Sequence, residues 1–288
     1  MRHLLAAELL KTRKRWLPYG LFAVMLLGVS MHVWLAGYVD WATNENDFMI
    51  RGTAVRTFAI PWSIPALLDA GQFWGAILVG VLAASVVATE HNWGTVKQAL
   101  TRGQSRSQYL AVKLVVLTFM AALSLLAALG VGVIFSLFAT SLADYPITLD
   151  VAGGPSSMDI VLMVLRAGFC VIPYGLLAFC LAVVGRSTAI GAAGVLVYVI
   201  GEAIVLAIFN NMGGVMADSR NLFIGHNVNA VMAENRIGSG DFISFAFREN
   251  PDPSKLPDPG IAALVLVAYC LLFLGLAFYW FRRRDIRS

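Results

Sequence analysis

Residues 160–209 read IVLMVLRAGFCVIPYGLLAFCLAVVGRSTAIGAAGVLVYVIGEAIVLAIF, two apolar runs parted only by Gly185-Arg186-Ser187. Crossing a ~30 Å hydrocarbon core takes ~20 helical residues, and each run is that long. Neither shows the apolar–polar alternation of a barrel strand. Lipid offers no partner to exposed backbone groups, so the pair reads as an antiparallel helical hairpin in a bilayer. The whole chain agrees. Of its 288 residues 59% are apolar and 13% charged, and the mean hydropathy is +0.75. A soluble domain carries ~25% charged residues, so this chain has too few to coat a water-facing surface. The same values exclude intrinsic disorder, which needs low hydrophobicity and high charge. Three cysteines exclude a disulfide scaffold, and Cys170, Cys180 and Cys270 read as small packing residues inside spans.

Working outward from the hairpin, six spans emerge: Leu17–Tyr38, Gln72–Thr89, Leu114–Ala139, Ile160–Val184, Thr188–Phe209 and Ile261–Phe281. The fold class is therefore all-α, a polytopic membrane protein formed as one transmembrane domain over residues 1–288. The first run follows basic residues but exceeds the 7–15 residues of a signal-peptide core, and no small-x-small cleavage site follows it; it reads as a retained span. With the N-terminus inside, the inner segments hold 14 basic residues against three acids, and the outer segments six against 13. The positive-inside rule then places both termini in the cytoplasm and the chain in the cytoplasmic membrane. The overall charge of +4 is the residue of this asymmetry and gives no reason to expect nucleic-acid binding.

Residues 1–16, MRHLLAAELLKTRKRW, read as an amphipathic helix in the cytoplasmic interface. Leu5, Leu9 and Leu10 take one side, and Glu8, Lys11 and Arg15 another that faces lipid phosphates. The external stretch 39–71 should carry a short helix before the second span. The external loop 210–258 ends in the proline-rich NPDPSKLPDPG and reads largely as linker, with a short surface helix within 227–235. Ser105 and Gln108 have capping-box spacing, so the third helix should start well before its apolar core and project into the cytoplasm.

The cytoplasmic loop between the second and third spans is the most informative. Residues 89–113 read TEHNWGTVKQALTRGQSRSQYLAVK. Asn92 can cap a short helix and Gly103 can end it. Trp93, Val96 and Leu100 share one face of that helix, and Lys97 and Arg102 lie off it. Such a helix can lie on lipid or fill a groove on a partner.

The loop resembles that of ABC-2 type (exporter-type) transporter permeases. The pattern is an acid ending the second span, then Gly-Thr, a basic residue, a Leu-Thr pair, and basic residues leading into the third span. Here those are Glu90, Gly94, Thr95, Lys97, Leu100, Thr101, Arg102, Ser105, Arg106 and Lys113. The amphipathic entry helix, six spans, short Gly185-Arg186-Ser187 turn, long external loop and basic tail from Phe281 are similar in plan. The resemblance implies that residues near 91–102 form a coupling helix docking on a separate cytoplasmic ABC ATPase. It implies a second permease chain, identical or different, and no cofactor on this chain, with ATP and Mg held by the partner. No G-x-x-x-x-G-K-[ST] run is present; Gly94-Thr95-Val96-Lys97 does not fit it. The chain is expected to be a transport subunit and not itself an enzyme.

Arg166 and Glu202 are the two charges inside spans, each some 10 Å below the outer surface at ~1.5 Å per residue. Intramembrane charges face the bundle interior and find partners. An Arg166–Glu202 ion pair is expected; the alternatives are Arg166 snorkelling toward Asp159 with Glu202 held by backbone or water, or contact with substrate. Small residues at four-residue spacing (Ala76, Gly80 and Ala84; Ala128 and Gly132; Ala189 and Ala193) permit close helix contact. Pro173 should kink the fourth span. His32 belongs to no constellation, and no zinc or Ser/His/Asp pattern is evident. A self-sufficient secondary transporter is the alternative function, but no half-to-half repeat supports it. An intramembrane enzyme would need converging acids, His or Cys, and the sequence offers none.

Overall fold

The computed structural model describes residues 2–92, 105–148, 154–210, 219–235 and 255–283. Among these every regular element is helical: α1 Arg2–Lys14, α2 Leu17–Thr43, α3 Phe48–Phe58, α4 Ser63–Asn92, α5 Arg106–Leu142, α6 Ser157–Gly185, α7 Thr188–Asn210, α8 Ile224–Ala233 and α9 Pro259–Arg283. Six of them, α2, α4, α5, α6, α7 and α9, are long and apolar enough to cross a membrane. All six expected runs are found within them.

The helices outrun their apolar cores where local chemistry permits. α5 starts at a complete capping box: Ser105 Oγ accepts from the Gln108 amide at 3.2 Å, and Gln108 Oε1 accepts from the Ser105 amide at 3.3 Å. Its 37 residues give ~55 Å of helix at 1.5 Å per residue. A second capping box, Ser156 with Asp159, opens α6. α2 passes through a π-helical turn at Trp34–Val39 and continues to Thr43. Asp47 caps α3 through the amides of Met49 and Ile50. α4 begins at Ser63, well before its apolar run, because Ser136 of α5 hydrogen-bonds both Ser63 and the Phe58 carbonyl and closes the α3–α4 corner.

α4 is the central helix. It packs mainly on α6 and also on α2, α5 and α7. Side-chain-free surface makes this possible. A Cβ on Gly80 would stand 2.6 Å from Val195 of α7, and one on Gly191 would meet Ala84 at 2.7 Å and Ala182 at 2.8 Å. Gly80 and Gly132 of the small-residue series thus pack against helices of the same bundle. Pro173 sits inside α6, which stays continuous. Outward faces are apolar: Phe119 is 53%, Val197 69% and Leu264 70% exposed. Apolar surface on this scale belongs against lipid rather than water.

One expectation fails here. The helix inside the 210–258 loop is not on the surface. α8 packs among α6, α7 and α9, and Ile224, Asn227, Val228, Ala230 and Met232 are fully or almost fully buried. Inside the bundle the Asn227 side-chain amide donates to the carbonyls of Asn221 and Phe223.

Candidate functional site

Two polar assemblies stand out, one at each end of the bundle. The first joins α1 to the ends of α4 and α5 that frame the loop 93–104. Glu8 and Glu90 alternate with Lys11 and Lys113 in a closed ring. Glu8 Oε1 lies 2.7 Å from Lys113 Nζ and Glu8 Oε2 3.2 Å from Lys11 Nζ. Glu90 Oε1 lies 2.8 Å from Lys11 Nζ and Glu90 Oε2 3.3 Å from Lys113 Nζ. Two carboxylates and two ammonium groups make it neutral. Lys113 is 1% exposed and also donates to the Val86 carbonyl at 2.8 Å. The Tyr109 hydroxyl donates to Glu90 at 2.6 Å, and its ring stacks on Phe281 of α9. Arg106 donates to the Arg282 carbonyl at 2.8 Å. Four helix ends, those of α1, α4, α5 and α9, therefore meet at this ring.

Local sequence explains the arrangement. Tyr109 and Lys113 are four apart on α5 and share a face, as Glu8 and Lys11 do on α1. A buried ammonium is tolerable only with counter-charges and full hydrogen bonding. That demand turns Glu8 inward, so the expectation that Glu8 lies on a lipid-facing basic side is corrected: Glu8 and Thr12 are buried, and Leu10 is exposed. Burial alone would lower the Lys11 pKa, but the hydrogen bond and charge of Glu90, with Glu8, hold it above the ordinary 10.5.

Of the expected coupling residues, Glu90 and Arg106 are in this assembly. Asn92 is the last residue of α4. Trp93, Gly94, Thr95, Val96, Lys97, Leu100, Thr101 and Arg102 lie outside the described residues. Glu8, Lys11 and Tyr109 went unnoticed as site residues, because their partners lie up to 105 positions away in the chain.

The second assembly corrects the Arg166–Glu202 pair. The two residues do not meet; each holds one end of α8. Glu202 Oε1 accepts from the Gly225 amide, in the first turn of α8, at 2.7 Å, and from the Tyr198 hydroxyl at 3.3 Å. Glu202 Oε2 accepts from the Tyr174 hydroxyl at 3.4 Å. Arg166 Nη1 donates to the Glu234 carbonyl and to Asn235 Oδ1, both at 3.3 Å, at the end of α8, and Arg166 Nη2 lies 3.9 Å from the Glu234 carboxylate. A helix carries partial positive charge at its N-terminus and negative at its C-terminus. The anion and the cation thus stand at the ends that favour them. For Glu202 this is the alternative expected from the sequence, a carboxylate held by backbone.

Among the described residues no three His, Cys, Asp or Glu side chains converge to hold a metal ion. No curated protein matches the chain. A family model described as "Protein of unknown function (DUF2705)" matches residues 68–287, from inside α4 to beyond the end of α9. That is well over half of the chain, which therefore belongs to the DUF2705 family.

Proposed function

We propose that the chain is the membrane-spanning permease subunit of an ATP-driven ABC transporter of exporter type. On this reading it lies in the cytoplasmic membrane with both termini inside, α1 rests at the cytoplasmic interface, and a second permease chain completes the path. A separate ATPase holds ATP and Mg, and the loop 90–113 receives its motion. The observation that carries the reading is the ring Glu8–Lys113–Glu90–Lys11. It ties α1 to both helices that frame the loop, so a push on the loop is delivered to α1, α4 and α5 together. Packed helices switch between discrete arrangements rather than bend smoothly, which suits such a lever.

The test is co-purification of the full chain with an ABC ATPase encoded beside it. Retention of the ATPase is expected for the native chain, and its loss on Leu100→Asp or Lys97→Glu with the permease still folded. The reading fails if no ATPase is retained, or if both variants retain it and transport is unchanged.

A further inference from the structure

Between α4, α5 and α6 runs a cleft of about 420 Å³, walled by Gly75, Val79, Leu117, Ala121, Gly168 and Ile172. Small-molecule sites fall in the range of ~300–1,000 Å³ and are mostly apolar. The polar groups on this wall are engaged. Thr118 and Ser124 donate to carbonyls of their own helix, and Gln72 donates to the Ala167 carbonyl. Met25 and Gly71 also line a second cavity of about 10 Å³, together with His32 and Trp74. That is room for about one water-sized atom. Gly71 lines both spaces, and a Cβ there would meet nothing within 4 Å.

His32 is 6% exposed, and neither of its ring nitrogens has a hydrogen-bond partner. A neutral imidazole carries one donor and one acceptor, and leaving both unmet in a buried site is costly. An occupant that meets either one recovers part of that cost. The small cavity admits a single oxygen, and a hydroxyl can serve either nitrogen. A charged head would need more space than this.

We propose that the two cavities form one binding site for an amphiphile with an apolar chain and one uncharged hydroxyl. The chain lies in the cleft and the hydroxyl on His32. Because the site opens between membrane-spanning helices, the ligand enters sideways from lipid. Occupancy stands on the cavities alone; the further step, that this molecule is cargo, rests on the transporter reading.

The test uses the full chain in lipid nanodiscs without any ATPase. A diazirine-bearing hexadecanol is compared with the matching diazirine hexadecane, and adducts are mapped by mass spectrometry. Hexadecanol adducts are expected on the cleft walls of α4, α5 and α6. His32→Phe should cut them ~10-fold, the equivalent of one hydrogen bond, and leave the hexadecane pattern unchanged. Gly71→Leu should remove hexadecanol labelling. Unfolding temperature reports that each variant is folded, and His32→Phe, which loses two unmet polar atoms, should not fall below the native value. Equal labelling by both probes, insensitive to His32→Phe, means bulk lipid tails fill the cleft and overturns the proposal. Adducts scattered over the outer faces of α5, α7 and α9 overturn it too. Loss of ATPase co-purification would leave this result intact, so the two readings fail separately.

Discussion

Glu202 and Gly225 are matched in shape as well as charge. The carboxylate accepts from the Gly225 amide at 2.7 Å, and a Cβ at position 225 would stand 2.9 Å from Glu202 Oε2. Only glycine lets the carboxylate sit this close to the first turn of α8. Glu202→Ala removes the carboxylate that a buried amide and two tyrosine hydroxyls donate to, and should cost about 1–3 kcal/mol. Glu202→Gln keeps an acceptor and should cost less. Gly225→Ala should destabilise the native chain but be tolerated better with Glu202→Ala, since the two nearest atoms it crowds are then gone. Unfolding of the native chain, Glu202→Ala, Gly225→Ala and their double variant in detergent measures this; strictly additive losses would count against the contact.

Hydropathy made the spans legible because bilayer thickness imposes a length that few other folds require. The same reasoning misread Arg166 and Glu202. With two opposite charges in neighbouring spans, a mutual pair was the natural solution. The actual partners include the ends of α8, and a helix dipole has no letter in the sequence. The surface helix expected within 227–235 is instead α8, buried in the bundle, where Asn227 and the adjoining Asn235 bond backbone carbonyls. The base of the bundle was half legible. Glu90, Arg106 and Lys113 stood out through a family pattern, while Glu8 looked like part of a lipid-facing side until the burial of Lys113 required a counter-charge.

The close approach of α4, α6 and α7 gives a packing prediction. A Cβ on Gly191 meets Ala84, Ala182 and the Ala178 carbonyl at 2.7, 2.8 and 2.9 Å, and backbone cannot step aside as a flexible side chain can. Gly191→Ala should therefore cost about 1–3 kcal/mol. Gly52→Ala in α3, where nothing lies within 4 Å, should be neutral or slightly stabilising. Equal unfolding temperatures for the two variants would contradict the packing of these helices.

The ring around Lys113 predicts a non-additive pair. Lys113→Met leaves two buried carboxylates sharing Lys11, and breaking a buried pair from one side costs about 3–5 kcal/mol. Glu8→Gln alone should cost less, since Lys113 keeps Glu90 and the Val86 carbonyl. Together they restore neutrality, with Glu90 and Lys11 still paired, so the double variant should be more stable than the sum of the singles implies. A sum that holds would mean Lys113 and Glu8 do not act on each other.

Lys11 sets the pH range of the same ring. Its folded pKa lies above the ordinary 10.5 because Glu90 and Glu8 outweigh the effect of burial. A group whose pKa is raised by folding contributes stability that is fully present below its unfolded pKa. That contribution is lost as pH climbs through the folded value. The stabilisation from Lys11 should thus be constant from neutral pH to about 10 and decline only above that. Lys11 is half-exposed, so solvent screening keeps the contribution modest. The quantity to measure is the difference in unfolding temperature between the native chain and Lys11→Met as a function of pH. It should be flat through neutrality and shrink in alkali. A difference that instead collapses on acidification only near pH 6–7 would point to a histidine, not Lys11, as the group holding α1 in place.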